Sequence, residues 1–283
     1  MRACFACFSP RFSVFAAALM LSTALFSAPA RAGDSERIVQ LLHADRLFAI
    51  LGRESEGYAT ELGAEFLGDG ADPGWHDEVR RIHDPDRLQS AFEAVLADEL
   101  KDDPLPEITR FLSSETGQRM IDLELDAREA LLDPRVEAAA EGALEAAEAA
   151  QDPRLGLVRD VIAAAGLVEE NVAGGLNTNF AFSVALAESG VYAYPVSKDE
   201  ILAELIAEEP ALRDEVTLWL ESYLMMAYAP ASEAELRAWL EFTRSDAGQA
   251  LLHAQFAGFD RVFNASSAAL GHALARRMMA SSL

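Results

Sequence analysis

The chain has little cysteine, little basic charge and no long apolar run, and each shortage removes a class of protein. Cys4 and Cys7 are the only cysteines among 283 residues, so everything after position 7 lacks disulfides, cysteine nucleophiles and zinc-thiolate sites. Lys and Arg number 23 against 47 Asp and Glu, a formal net charge of −24. That balance argues against nucleic acid and anionic membranes as partners, since both select basic patches. The longest apolar stretch, Phe12 to Phe26, is shorter than the roughly 20 residues needed to span a bilayer. Runs of alternating β-branched residues are also missing, so no strand is predicted. H-E-x-x-H, G-x-S-x-G and S-x-x-K are all absent, which leaves no sequence signature for a zinc protease or a serine nucleophile.

The N-terminus has its own pattern. Arg2 and Arg11 precede the apolar stretch, and Ala30-Arg31-Ala32 follows it as an A-x-A cleavage site. Residues 1–32 therefore read as a secretory signal peptide, and the product is expected to be periplasmic or secreted. Neither cysteine stands at the cleavage point, which argues against lipid anchoring. Removing residues 1–32 leaves 20 basic against 47 acidic residues, a net charge of −27. The mature chain then depends on its apolar core alone, for which about 250 residues suffice.

What remains is helical almost throughout. Ala, Leu and Glu dominate, all strong helix formers. Asp72-Pro73, Asp84-Pro85, Asp133-Pro134 and Asp152-Pro153 combine a preferred N-cap with a proline suited to the first helical position. Ser197-Lys-Asp-Glu200 and Ser232-Glu-Ala-Glu235 fit the capping box. The predicted helices of the first half are 34–52, 55–67, 74–82, 85–101, 105–113, 115–132 and 134–150. Those of the second half are 153–165, 168–188, 198–208, 210–229, 233–244 and 246–280. Leu252, Phe256, Phe259, Phe263, Leu270 and Leu274 keep one face of the last helix apolar, and its length suits it to brace both halves.

One phrase occurs twice. Ser114-Glu-Thr-Gly-Gln118 recurs as Ser245-Asp-Ala-Gly-Gln249, 131 positions later, with Phe111 and Phe242 in matching places. At that offset residues 105–121 align with 236–252 without gaps, and Leu88/Trp219, Phe92/Tyr223 and Val95/Met226 continue an apolar stripe upstream. A weaker match joins Ala49–Leu62 to Ala163–Leu176. The pattern points to a duplicated unit of about 110–120 residues. Ser114 and Ser245 are placed to end one helix and cap the next, with Glu115 and Asp246 in the first turn, where the helix dipole favours negative charge. Gly117 and Gly248 fall at the third helical position. Glycine there sacrifices about 1 kcal/mol of helix propensity, which predicts that another helix passes close to the missing side chain, with Phe111 and Phe242 inside the corner.

The run Leu236-Arg-Ala-Trp-Leu-Glu-Phe-Thr-Arg-Ser-Asp-Ala-Gly-Gln-Ala-Leu-Leu252 resembles the signature of the DUF2059 family, whose phrase is Phe-Tyr-x-Ser-Pro-x-Gly-x-Lys. Phe242, Ser245 and Gly248 match it, as do Phe111, Ser114 and Gly117. Leu112 or Thr243 replaces the Tyr, Glu115 or Asp246 the Pro, and Arg119 or Ala250 the Lys. The resemblance implies an exported, helical bacterial domain and assigns no catalytic residue. It gives the eight-residue structural motif Phe111, Ser114, Gly117, Gln118, Phe242, Ser245, Gly248 and Gln249.

Other patterns are weaker. His76 and His83 stand seven apart on one predicted helix, about 10 Å along its axis and too far to share a metal unaided. His43, His253 and His272 are isolated. Gly68-Asp-Gly-Ala-Asp-Pro-Gly74 offers Asp69 and Asp72 to a calcium ion but lacks the EF-hand spacing. Gly174 to Phe182, followed by Gly190 to Pro195, departs from the helix–turn background and gathers Phe180, Phe182, Tyr192 and Tyr194. The sequence therefore predicts an all-α fold of two tandem helical-bundle repeats, residues 33–150 and 151–283, after a signal at 1–32. It implies no cofactor, no metal and no catalytic residue. The expected function is non-enzymatic binding of a protein or ligand of the cell envelope, without nucleic acid and without a membrane span after signal cleavage. The alternatives are an envelope hydrolase using carboxylates and a structural or chaperone-like helical protein.

Overall fold

A computed structural model describes residues 31–68, 73–100, 104–192 and 194–281. The signal-peptide reading lies outside these residues apart from Arg31 and Ala32, and so does the Asp69/Asp72 loop. The described residues are all-α. In chain order the helices are α1 (Arg31–Leu41), α2 (Ala44–Phe66), α3 (Pro73–Ile82), α4 (Pro85–Glu99), α5 (Leu105–Leu112) and α6 (Glu115–Ala130). They continue as α7 (Pro134–Ala150), α8 (Pro153–Ala164), α9 (Leu167–Glu188), α10 (Lys198–Ala227), α11 (Glu233–Arg244) and α12 (Asp246–Ser281).

Local chemistry explains most boundaries. Asp84, Asp133 and Asp152 each accept a hydrogen bond from a backbone N–H in the first turn that follows, and a proline occupies that turn in all three helices. Ser197 and Ser232 form complete capping boxes with Glu200 and Glu235.

Two boundaries differ from the sequence reading. The break expected near residue 53 falls at Leu42–His43, where His43 adopts a left-handed φ of 49°. Its ring lies 3.0 Å from Gln118 Oε1 and 3.1 Å from Asp122, so contacts made 75 residues away hold the turn. The break expected at Pro210 is absent, and α10 runs through it. Pro210 and Ile206 are both exposed, which leaves the Ile206 carbonyl, deprived of its helical donor, open to water. The segment Gly174–Phe182 lies in the middle of α9, as the helix expected over 168–188 requires, with Gly174, Gly175 and Phe182 buried. Tyr194 stands apart from it, 81% exposed.

The halves exchange parts. The core around Ile38, Phe48, Phe92, Ile108 and Leu112 is completed by Phe242, Leu251, Phe259 and Val262 from α11 and α12. The core around Val158, Val216, Leu220, Leu224 and Leu240 is completed by Met120 and Ala127 from α6. A third cluster joins Ala59, Leu62, Trp75 and Val79 to Phe182, Leu186, Leu270 and Leu274. At 36 residues and 1.5 Å each, α12 is about 54 Å long, and it contributes to both the first and the third clusters.

Candidate functional site

The twice-used phrase builds two corners with the same bonds. Ser114 Oγ donates to the Phe111 carbonyl (2.6 Å) and accepts from the Gly117 N–H (3.0 Å). Ser245 does the same with Phe242 (2.7 Å) and Gly248 (3.0 Å). Gln118 donates from Nε2 to the carbonyls of Leu112 and Leu41, while Gln249 donates to those of Thr243 and Ala164. Each glutamine thus ties its corner to the last turn of the first helix of its half, α1 or α8. A Cβ on Gly117 would lie 2.2 Å from the Phe111 carbonyl oxygen, and one on Gly248 would lie 2.0 Å from that of Phe242. The close neighbour is therefore the preceding turn of the same corner, not the flank of a passing helix. Phe111 and Phe242 do not sit inside separate corners. They stack on each other, centroids 4.0 Å apart and planes within 8°, where the halves meet.

Beside that stack lies a cavity of about 180 Å³. Its walls include Ile121, Glu124, Leu125 and Arg128 of α6, and Leu252, Gln255, Phe256 and Phe259 of α12. These four pairs share the 131-residue offset of the corners, and both stretches face one space. The α10 side adds Trp219, Leu220, Tyr223, Leu224 and Tyr228, and α9 adds Asn171.

The polar groups at this cavity are few and specific. Tyr228 donates to Glu124 Oε1 at 2.5 Å, and Tyr223 donates to the Glu124 backbone carbonyl at 3.0 Å. Burial pushes the Glu124 carboxyl up to about 7, against the Tyr228 hydrogen bond, which lowers it. Both phenols are raised, burial being the first cause and the Glu124 charge the second. Arg128 is buried with Nε and an Nη each 2.9 Å from Glu54, and its guanidinium lies 5.9 Å from the centre of the Trp219 ring. Trp219 in turn stacks on Tyr223 at 4.9 Å. Arg128 and Trp219 also line a second cavity, together with Glu54, Tyr58 and His83. On the α9 wall, Asn171 Nδ2 donates to the Leu167 carbonyl, and its buried Oδ1 has no hydrogen-bond partner.

The structure gathers none of the histidines into a site. His83 is buried with Nδ1 3.1 Å from the Val79 carbonyl, and desolvation lowers it to about 4. His253 and His272 are exposed, and His43 serves the α1–α2 turn. Among the described residues no group of three or more His, Cys, Asp or Glu is arranged to hold a metal ion.

Sequence reasoning missed the residues that converge on the cavity. Nothing in the sequence separates Glu124 from the other 46 acidic residues, or Arg128 from the other basic ones. The one usable signal was aromatic: Trp219 and Tyr223 stand where the first half has Leu88 and Phe92.

Residues 86–146 match the family described as an uncharacterized protein conserved in bacteria (DUF2059). The match runs from α4 into α7 and contains the first corner; the second corner lies outside it. No curated protein and no solved structure matches the chain. Among the described residues no helix is long and apolar enough to cross a membrane.

Proposed function

We propose that this chain is an exported, non-enzymatic binding protein of the cell envelope, built from two DUF2059-like copies. Its site is the cavity where the copies meet. Export rests on the charged, apolar and A-x-A pattern of residues 1–32. Duplication is supported by the two corners, which repeat serine, glycine and glutamine bonds. It also accounts for left-handed turns at His43 and Gly166, which open the second helix of each half, α2 and α9.

The observation that carries the binding reading is the cavity: mostly apolar and aromatic, with a few convergent polar groups and one strongly shifted carboxyl. Its size fits a body of one ring, since an engineered cavity of about 150 Å³ takes benzene. Among the described residues, Glu124 is the only Asp or Glu on its walls. Hydrolysis by paired carboxylates would need a second acid facing the first across the substrate.

The test uses the tryptophans. Two of the three, Trp219 and Trp239, line the cavity, while Trp75 is buried in the third cluster. Titrating the mature chain with single-ring solutes should give a saturable change in tryptophan emission. Ala165 also lines the cavity, so Ala165→Leu should abolish that change while leaving the melting temperature within about 3 °C. Absence of a saturable response to any such solute would remove the ligand reading.

A further inference from the structure

We propose that the ligand is a small organic cation, an ammonium group on a body of about one ring, held by Glu124 and Asn171 against aromatic walls. This rests on the cavity being the binding site and adds the chemistry of what it holds.

Hydrogen-bonding capacity at the cavity is unequal. The phenol donors of Tyr223 and Tyr228 are spent on Glu124, and one N–H of the Asn171 amide on Leu167. Arg128 is engaged through two nitrogens by Glu54. Two acceptors at the cavity keep capacity: Asn171 Oδ1, buried and without a partner, and the Glu124 carboxyl, of which one oxygen receives Tyr228. Gln255 adds an amide of both kinds at the position matching Glu124 in the other half. Such a set calls for a ligand that donates. An ammonium has donors and no acceptor.

Charge points the same way. No cation of the protein is ion-paired with Glu124 among the described residues. Tyr223 and Tyr228 bond to it, and the polar groups that line the cavity with it are Asn171 of α9, Gln255 of α12 and, one turn along α6, Arg128, whose charge Glu54 balances. The ionised carboxylate would therefore be the one uncompensated charge in the cavity. Aromatic faces supply the rest of a cation site, since the π-systems of Trp, Tyr and Phe attract desolvated ammonium groups.

The proposal fixes a pH signature. A bound cation favours ionised Glu124, so its affinity should follow the ionised fraction of a carboxyl that titrates near 7 when the cavity is empty. Titration calorimetry of the mature chain compares benzylamine with benzyl alcohol at pH 6 and pH 8. Benzylamine remains protonated across this range. Its affinity is expected to rise about tenfold between the two, with a proton released per ligand at pH 6, while benzyl alcohol binds more weakly and without pH dependence. Glu124→Gln should weaken benzylamine at least about tenfold at pH 8 and flatten its pH response. Equal affinity for the two ligands at pH 8, or unchanged benzylamine affinity in Glu124→Gln, would overturn the cation assignment while leaving the cavity as a binding site. Failure of both ligands to bind would overturn the site itself.

Discussion

Gly248→Ala is expected to destabilise the protein by about 3 kcal/mol, lowering the melting temperature by roughly 5–10 °C. The sign opposes helix propensity, which favours Ala over Gly by about 1 kcal/mol inside a helix. Here the new methyl would meet the Phe242 carbonyl oxygen at 2.0 Å and the Thr243 Cα at 3.1 Å, both backbone atoms. Relief requires opening the corner, which stretches the bonds of Ser245 to Gly248 and of Gln249 to Thr243 and unseats Phe242 from Phe111. Gly117→Ala should behave alike, because its methyl would lie 2.2 Å from the Phe111 carbonyl. Gly57 is the control. It sits in α2 with nothing within 4 Å of an added methyl, and Gly57→Ala should raise stability slightly. Thermal denaturation of the three variants reads the result, and an unchanged or raised midpoint for Gly248→Ala would sink the account of the corner.

Glu124→Gln should change how stability depends on pH. The folded carboxyl titrates at about 7 and the unfolded one near 4.5, so the folded state binds the proton more tightly. The stability this group contributes is present in full below pH 4.5 and is lost as pH rises through 7. The loss is about 3 kcal/mol at 1.36 kcal/mol per pH unit. His83 works in the opposite direction. Its folded value of about 4 lies below the ordinary 6.5, so its contribution is present above 6.5 and is lost as pH falls through 4. Between about 4.5 and 6.5 the two slopes nearly cancel in the native chain. Glu124→Gln removes one and exposes the other. The stability of the variant minus that of the native chain, from urea titrations, should climb by about 3 kcal/mol from pH 4.5 to 7.5. A difference that stays flat would place Glu124 in water rather than beneath Tyr228.

The helices were legible where their signals are local. Asp-Pro pairs, Ser-x-x-Glu boxes and the Ser-x-x-Gly-Gln phrase act within four residues, and the structure places a cap at each one described. The errors came where distant contacts decide. His43 carries no turn signal, and its left-handed backbone is held by Gln118 and Asp122 of α6. Pro210 breaks nothing, because the carbonyl it leaves without a donor faces solvent. The cavity was illegible for the same reason. Glu124 is four residues from Arg128 on an acidic helix, and its burial depends on Tyr223 and Tyr228, about a hundred positions later. Only packing separates this carboxyl from dozens of solvated ones. The reach of α12 across both halves was legible in its length, but the crossing of α6 was hidden, since an apolar face does not name its partner.

That exchange is the premise of everything proposed for the cavity, whose walls come from both halves. Expressing residues 31–150 and 151–283 as separate chains tests it most directly. Each half alone lacks core residues: the first loses Phe242, Leu251 and Phe259, the second loses Met120 and Ala127. Circular dichroism melts of each alone should show reduced helicity and no cooperative transition, and mixing the two should restore both. A half that melts cooperatively by itself with its full helical content would contradict the interleaved architecture and the junction site built on it.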